Sequence, residues 1–167
     1  MGNDIYESGK LCRYGKIPGL EKTVSRMVFG TAIGPMIEGK NADELLDAAF
    51  AKGINTFDTA RGYGRAEESL GGWMKRRDNR EQVVVISKCG NCDSDGSVCV
   101  NRKVIETELA ESLQALQTDY IDIYLLHRDD PKTPVSEMID ALNELQKEGE
   151  MNLKIKKVTF TVTGILL

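Results

Sequence analysis

Three ionisable side chains stand at the ends of three apolar runs that have the composition of β-strands. They are Asp58, Lys88 and His127, the last being the only histidine of the chain. Consecutive strands of a parallel sheet bring their carboxyl ends to one rim, where β/α barrels carry their catalytic groups. Tyr63 follows Asp58 by five residues and lies within reach of the same rim. The four residues are therefore expected to meet in space.

A tyrosine, a lysine, an aspartate and a histidine together indicate proton transfer to or from an oxygen atom. A free phenol has a pKa near ~10, and a neighbouring ammonium group favours the phenolate. Lys88 is suited to that task for Tyr63, Asp58 would keep Lys88 charged and oriented, and His127 would hydrogen-bond the same substrate oxygen. Taken singly, such residues are more often solvated or structural. Their occurrence at three successive strand ends favours the catalytic interpretation.

Alternating strands and helices are predicted to hold these residues in place. The chain opens with a hairpin that turns at Pro18-Gly19. Four strand–helix units follow, with strands over 26–29, 54–57, 83–86 and 120–126 and helices over 41–52, 66–77, from Asn101 onward, and 133–149. Asn41 with Glu44 reads as a capping box, and Thr133-Pro134 as a helix start.

Four such units predict a parallel sheet with helices outside, either an open doubly wound sheet or part of a closed barrel. The segment from Gly30 to Gly34 reads GTAIG, which lacks the glycine spacing that cradles a pyrophosphate. A dinucleotide fold of the Rossmann type is therefore disfavoured.

The charge and composition of the chain indicate which classes of partner it can bind. The net charge is -4 and the isoelectric point near 5.2, whereas nucleic-acid and anionic membrane surfaces are bound by an excess of Lys and Arg. No run approaches the roughly 18 apolar residues of a membrane span. Residues 1–10 lack the apolar core of a secretory signal. We expect a cytoplasmic protein with a small-molecule substrate and neither nucleic acid nor membrane as partner.

The four cysteines are too few and too unevenly spaced for a disulfide framework, so free thiols are expected. Cys12, Cys89, Cys92 and Cys99 include one Cys-x-x-Cys pair. A structural zinc site needs four ligands, and His127 stands at a different strand end. The pattern favours a cysteine-rich polar loop and no metal, with a zinc site as the less favoured alternative.

Four stretches of the sequence resemble the aldo-keto reductase superfamily. They are VFGT from Val28, INTFDTARGYGRAEESLG from Ile54, VVVISK ending at Lys88 and TDYIDIYLLH ending at His127. The resemblance implies an α/β fold, namely part of a (β/α)8 TIM barrel made of the N-terminal hairpin and four βα units.

The resemblance also implies an activity, which is the NADPH-dependent reduction of aldehydes or ketones to alcohols. Tyr63 would give a proton to the carbonyl oxygen, Lys88 would tune Tyr63, Asp58 would pair with Lys88, and His127 would position the carbonyl. Gly30, Thr31 and Asp58 would contact the cofactor, which supplies the hydride.

The resemblance covers residues 13–149, so we divide the chain into residues 1–149, half a reductase barrel, and a non-matching tail, 150–167. In the tail Val158, Phe160 and Val162 alternate with threonines, the period of a half-exposed antiparallel strand. A complete barrel takes roughly 250 residues and eight strands. The tail is therefore expected to reflect a truncated gene or a lost reading frame.

This division carries consequences for activity and association. We expect weak NADPH binding and a weakly active or inactive enzyme, because the half that grips the cofactor in the family is not matched. Exposed sheet edges predict self-association. The alternative function is a non-catalytic half-barrel remnant or interaction module.

Overall fold

The computed structural model describes residues 12–91, 100–128 and 133–151. The predicted strand in the tail, and the cysteine-rich loop from Cys92 to Cys99, lie outside the described residues.

An antiparallel hairpin opens the described chain. Its strands are β1 (Tyr14–Gly15) and β2 (Val24–Ser25). Leu20 N donates to the Ile17 carbonyl at 3.0 Å across the predicted Pro18-Gly19 turn. The Tyr14 hydroxyl donates to the Gly53 carbonyl at 2.6 Å. Gly53 precedes the second sheet strand, so the hairpin covers the amino ends of the sheet.

A four-stranded parallel sheet forms the centre of the fold, in the order β3-β4-β5-β6. The strands are β3 (Val28–Gly30), β4 (Thr56–Asp58), β5 (Val84–Cys89) and β6 (Ile123–Leu126). The helices are α1 (Gly34–Ile37), α2 (Asp43–Ala51), α3 (Ala66–Arg77), α4 (Arg102–Leu116) and α5 (Val135–Met151), with a 3-10 turn at Arg80–Gln82. The predicted alternation of strand and helix is confirmed within the described residues.

Side chains alternate between the two faces of the sheet, and the outer face carries the hydrophobic core. Phe57 is fully buried and packs on Phe29 and Trp73, with ring centroids 5.7 and 5.2 Å apart. Val85 and Tyr124 continue this layer beneath the helices. The inner face carries the alternate residues of each strand, among them Asp58 and Lys88. The helices thus bury the outer face of the sheet, and the predicted site residues Asp58 and Lys88 lie on the inner face.

Several boundaries differ from the sequence predictions. The loop after β3 contains the one-turn helix α1, in which Pro35 occupies the first turn, a position that tolerates its missing N–H. Asn41 accepts a hydrogen bond from Asp43 N at 2.7 Å, yet the cap residue of α2 is Ala42, one position later. Helix α5 continues to Met151 instead of ending at Gly149. Asn101 caps α4 as predicted and accepts from Val104 N at 3.0 Å.

A buried carboxylate ties the hairpin to the amino ends of the strands. Asp122 is 3% exposed and lies 2.8 Å from both Lys22 Nζ and Arg80 Nη1. It also accepts from Val85 N at 2.9 Å. A buried charge is tolerated when it is paired and hydrogen-bonded. These contacts hold the hairpin against the amino ends of the strands.

No helix of the described residues is long and apolar enough to cross a membrane.

Helix α3 approaches α4 so closely that one position has no room for a side chain. A Cβ at Gly71 would lie 2.5 Å from the Leu116 carbonyl carbon and 2.6 Å from the Ala115 oxygen. A Cβ at neighbouring Gly72 would meet only the Arg76 guanidinium, at 2.9 Å. Backbone cannot yield as the end of a flexible side chain can. A side chain at position 71 would therefore collide with the backbone of α4, whereas one at position 72 would displace only the end of the Arg76 side chain.

A second buried carboxylate, Glu67, forms no ion pair within 4 Å among the described residues. The residue is 2% exposed, and its Oε1 accepts from the Ser87 hydroxyl at 2.6 Å. Burial raises the pKa of Glu67, and the Ser87 hydrogen bond opposes that shift. The bond joins the first turn of α3 to β5.

We expect Gly71→Ala to destabilise the chain by about 1–3 kcal/mol, because the new methyl group collides with backbone. Gly72→Ala is the matched control and should be neutral or stabilising by up to about 1 kcal/mol, because alanine is the better helix former. Urea unfolding followed by circular dichroism measures both. Equal effects of the two substitutions would contradict the close approach of α3 and α4.

We expect Glu67→Gln to gain stability relative to the parent chain as pH rises. The raised pKa means that the folded state binds more protons than the unfolded state above the unfolded value of 4.5, so the parent loses stability as pH rises from there through the folded pKa. The amide carries no such penalty. Unfolding free energies at about pH 5 and about pH 8 test this, and a difference between the two chains that stays constant with pH would refute it.

Candidate active site

Parallel register places the predicted site residues on one rim. Asp58 is the last residue of β4, and its register partner in β5 is Ile86. Lys88 lies inside β5, two residues farther along the same face, and not after the strand as expected. His127 directly follows β6, and its N–H donates to the Cys89 carbonyl at 2.7 Å. The three strand ends adjoin, as the sequence predicts.

The ammonium group of Lys88 is the centre of the cluster. Both carboxylate oxygens of Asp58 accept from Nζ, and the Thr59 carbonyl accepts at 2.9 Å. The phenol oxygen of Tyr63 lies 3.3 Å from the same nitrogen. The Lys88 side chain is 14% exposed and that of Asp58 26%. The pair is thus shielded from bulk solvent and open on one side.

Tyr63 is half-buried on the loop between β4 and α3. Its backbone N–H donates to the Ala60 carbonyl at 3.0 Å, and its carbonyl accepts from Ala66 N at 3.1 Å. Gly64 has a φ of 59°, and a Cβ there would lie 2.7 Å from the Ile37 carbonyl oxygen. Only glycine satisfies both conditions. The loop is thereby held against α1 with the phenol directed at Lys88.

The His127 ring contacts Tyr63 edge to face, with centroids 5.5 Å apart and planes at 87°. Its Nδ1 is buried and has no hydrogen-bond partner among the described residues. Burial lowers the pKa of His127, and the positive charges of Lys88 and Arg128 lower it further, while Asp58 acts in the opposite direction. The ring is therefore neutral at neutral pH.

The residues expected to contact a cofactor adjoin the same rim. Gly30 is the register partner of Asp58, is exposed, and would have nothing within 4 Å of an added Cβ. Thr31 N donates to the Asp58 carbonyl at 2.9 Å. The Thr31 hydroxyl is fully buried and has no hydrogen-bond partner among the described residues. The inner face beside Asp58 thus has open space.

Two backbone carbonyls complete the site and were missed by sequence reasoning. The Thr59 carbonyl holds Lys88, and the Cys89 carbonyl holds His127. The ladder also continues beyond the strand ends, since Thr59 N donates to the Ile86 carbonyl at 2.8 Å and Arg61 N to the Lys88 carbonyl at 3.1 Å. Every residue carries a carbonyl, so the residue types hold no signal for these contacts.

Within the described ranges, no group of three or more His, Cys, Asp or Glu side chains is arranged to hold a metal ion. Two cysteines of the zinc alternative, Cys92 and Cys99, lie outside those ranges. Cys89 is buried, which raises the pKa of its thiol to about 12. A thiol in this state is a poor metal ligand and a poor nucleophile.

Comparison with known proteins gives a family match. The model of the aldo/keto reductase family matches residues 26–161. The chain is 36% identical over 136 residues to aldo-keto reductase YhdN of Bacillus subtilis, which covers 76% of this chain and 41% of that protein. It is 35% identical over 123 residues to norsolorinic acid reductase B of Dothistroma septosporum, covering 67% of this chain and 31% of that protein. The chain spans less than half the length of these relatives.

Solved structures agree with the sequence comparison. The holo form of aldo-keto reductase AKR11C1 from Bacillus halodurans superposes with a TM-score of 0.69 at 27% identity, covering 96% of this chain and 50% of that one. The hairpin and four strand–helix units thus have the shape of part of a (β/α)8 barrel, which confirms the predicted fold class. The family match over 26–161 and this superposition together establish that the chain belongs to the aldo/keto reductase family.

Proposed function

We propose that this site carries the proton-transfer chemistry of a reductase that converts aldehydes or ketones to alcohols with NADPH. The observation that carries the proposal is the position of Lys88 Nζ, bound by Asp58 and 3.3 Å from the Tyr63 phenol oxygen. Tyr63 gives its proton to the carbonyl oxygen of the substrate and regains one from solvent. Asp58, Tyr63, Lys88 and His127 are the proposed catalytic residues.

Lys88 acts as a fixed positive charge and not as the proton donor. An ammonium group has three N–H bonds, and four acceptors surround it, namely both carboxylate oxygens of Asp58, the Thr59 carbonyl and the Tyr63 oxygen. No N–H bond is therefore left for a substrate. The charge lies beside the oxygen on which negative charge develops as Tyr63 loses its proton. Such preorganised stabilisation needs no rearrangement during the reaction. Asp58 keeps the ammonium group in place.

His127 orients the carbonyl oxygen. Its ring packs on the Tyr63 ring, so a group that meets the phenol also meets the imidazole. A neutral imidazole donates from one nitrogen only, and the buried Nδ1 leaves Nε2 to face a substrate. The lowered pKa keeps the ring neutral, which prevents a second positive charge beside Lys88.

Gly30, Thr31 and Asp58 are the residues of this chain proposed to contact the cofactor. The open space beside Gly30 and the unpartnered Thr31 hydroxyl fit a flat group with a polar edge. NADPH, when bound, supplies the hydride to the carbonyl carbon. The few contacts available from these residues support weak binding by this chain. A small carbonyl compound is the proposed substrate.

We expect this chain at high concentration to reduce benzaldehyde slowly with NADPH, and Tyr63→Phe to lower kcat/KM by about 100-fold or more, the range of general acid catalysis. Tyr124→Phe is the control, since it deletes a phenol oxygen on the outer face of β6. Benzyl alcohol formation and NADPH absorbance report turnover. Wild-type chain that forms no alcohol at any concentration, or equal loss in both variants, would overturn the proposal.

We expect Lys88→Met to raise the pKa of His127, because it removes a nearby positive charge and leaves the Asp58 carboxylate unpaired. Lys75→Met is the control, since Lys75 lies in the last turn of α3 at the other end of the sheet. The imidazole signals of the only histidine report the titration by NMR. A His127 pKa that stays constant or falls in Lys88→Met would contradict the charge arrangement.

A further inference from the structure

One hydrogen bond on the outer face of the sheet connects the two segments that carry Tyr63 and Lys88. The Ser87 hydroxyl of β5 donates to Glu67 Oε1 of α3 at 2.6 Å, and both side chains are buried. The proposed proton transfer takes place on the inner face and makes no use of this bond. The places of its two partners along the chain nevertheless relate it to the site.

Ser87 directly precedes Lys88 in β5. Successive side chains of a strand point to opposite faces, so Ser87 lies on the face covered by helices and Lys88 on the face of the site. Their Cα atoms are about 3.8 Å apart. A bond that fixes the Ser87 side chain against α3 therefore also fixes the Lys88 backbone relative to that helix.

Glu67 has a similar place with respect to Tyr63. It is the second residue of α3, four positions after the tyrosine. The Tyr63 carbonyl accepts from Ala66 N at 3.1 Å, which joins the tyrosine to the first turn of the helix. A shift of the helix start relative to β5 therefore moves the phenol as well.

The loop that carries Tyr63 has a second attachment to β5. Arg61 N donates to the Lys88 carbonyl at 3.1 Å. Tyr63 lies between this backbone bond and the bond from Ser87 to Glu67. The segment 61–67 is thus held at both of its ends against the strand that carries the lysine.

The contact between Lys88 and Tyr63 tolerates little displacement. The phenol oxygen lies 3.3 Å from Nζ, already beyond the ~2.7–3.2 Å that is usual for an N–H···O bond. A slightly longer separation would no longer be a hydrogen bond. The distance between the start of α3 and β5 therefore determines whether the lysine charge acts on the phenol.

The hydrogen bond between Glu67 and Ser87 is suited to fix geometry rather than to add stability. Burial of a carboxyl group costs free energy that its hydrogen bonds have to offset, and burial raises the pKa of Glu67. A buried hydrogen bond fixes the length and direction of a contact, so it specifies one arrangement of the elements that it joins. Apolar packing at the same place would be less directional.

We propose that Glu67 and Ser87 are positioning residues of the site, whose hydrogen bond sets the distance between the Tyr63 phenol and the Lys88 ammonium group. This inference rests on the proposed function, because it gives the two residues a part in the same proton transfer. Neither side chain touches the substrate, since both lie on the opposite face of the sheet. Loss of the bond lets α3 and the tyrosine loop move relative to β5.

The imidazole proton signals of His127, the only histidine of the chain, report the position of Tyr63 by NMR. The two rings meet edge to face with centroids 5.5 Å apart, so the ring current of the tyrosine shifts these signals by an amount that falls steeply with distance. Tyr63→Leu gives the signal positions without that contribution. Spectra at about pH 8 report the neutral imidazole, because burial lowers the pKa of His127.

Two variants remove the hydrogen bond. Ser87→Ala removes the donor alone, whereas Glu67→Met combined with Ser87→Ala replaces both partners by apolar side chains, which can be nearly neutral for stability. In both variants the His127 signals should move from their parent positions toward those of Tyr63→Leu. Circular dichroism verifies that each variant folds. Displaced signals in a double variant as stable as the parent separate positioning from stability.

Two further variants are controls that should keep the parent signals. Glu67→Gln retains an acceptor oxygen for the Ser87 hydroxyl. Ser69→Ala removes a different hydroxyl bond of α3, the one to the Lys40 carbonyl at 2.9 Å. Parent signals in both variants that lack the bond, or an equal displacement in Ser69→Ala, overturn the proposal.

Turnover tests the catalytic consequence separately. Misplacement of a reacting group by about 1 Å can lower a rate about 100-fold, so Ser87→Ala should lower kcat for benzaldehyde by about tenfold or more and leave KM unchanged. Ser69→Ala should alter neither. Displaced His127 signals together with the kcat of the parent chain overturn the positioning role. A parent chain without turnover refutes the proposed function, and the His127 signals then still decide whether the bond holds Tyr63 in place.

Discussion

The parallel register of β4, β5 and β6 is the constraint on which the site depends. Adjacent strands lie about 4.8 Å apart, so residues at matching positions become neighbours without further contacts. Asp58 stands opposite Ile86, and Lys88 is two residues ahead on the same face. The long lysine side chain spans this diagonal and reaches both the carboxylate and the phenol of Tyr63. A slip by one residue would turn Lys88 into the hydrophobic core.

Three carboxylates are shielded from solvent, and the groups next to each one determine its role. Asp122 contacts two cations and a backbone amide at the amino ends of the strands, so its role is to hold the hairpin on the sheet. Glu67 accepts a hydrogen bond from a serine hydroxyl, and burial raises its pKa although the positive charge of Arg61 acts in the opposite direction. Asp58 has one cation, which also touches a phenol on an open face. Only the last arrangement leaves a group free to meet a substrate.

The proposed reductase site lies on the face of the sheet that the helices do not cover. The helices bury the outer face of the sheet, where Phe57, Trp73 and Tyr124 pack. The inner face, the two edge strands and the outer helical flanks retain exposed apolar groups such as Val28 and Ile139.

The residue pattern by itself determined the order of the elements, the parallel sheet and the meeting of four site residues at one rim. Apolar runs that end in Asp58, Lys88 and His127 carry that information, because strand direction follows from the alternation with helices. Helix α3 is predicted with both of its ends correct, since a left-handed Asp78 ends it where the apolar pattern stops.

Only the tertiary structure decided the one-turn helix α1, the shift of the α2 cap to Ala42 and the placement of Lys88 inside β5. It also decided the contact of Lys88 with the Thr59 carbonyl and the contact of buried Glu67 with the Ser87 hydroxyl. These features depend on which segments meet in space. Backbone carbonyls and through-space neighbours leave no pattern in the residue types, whereas hydrophobic periodicity does.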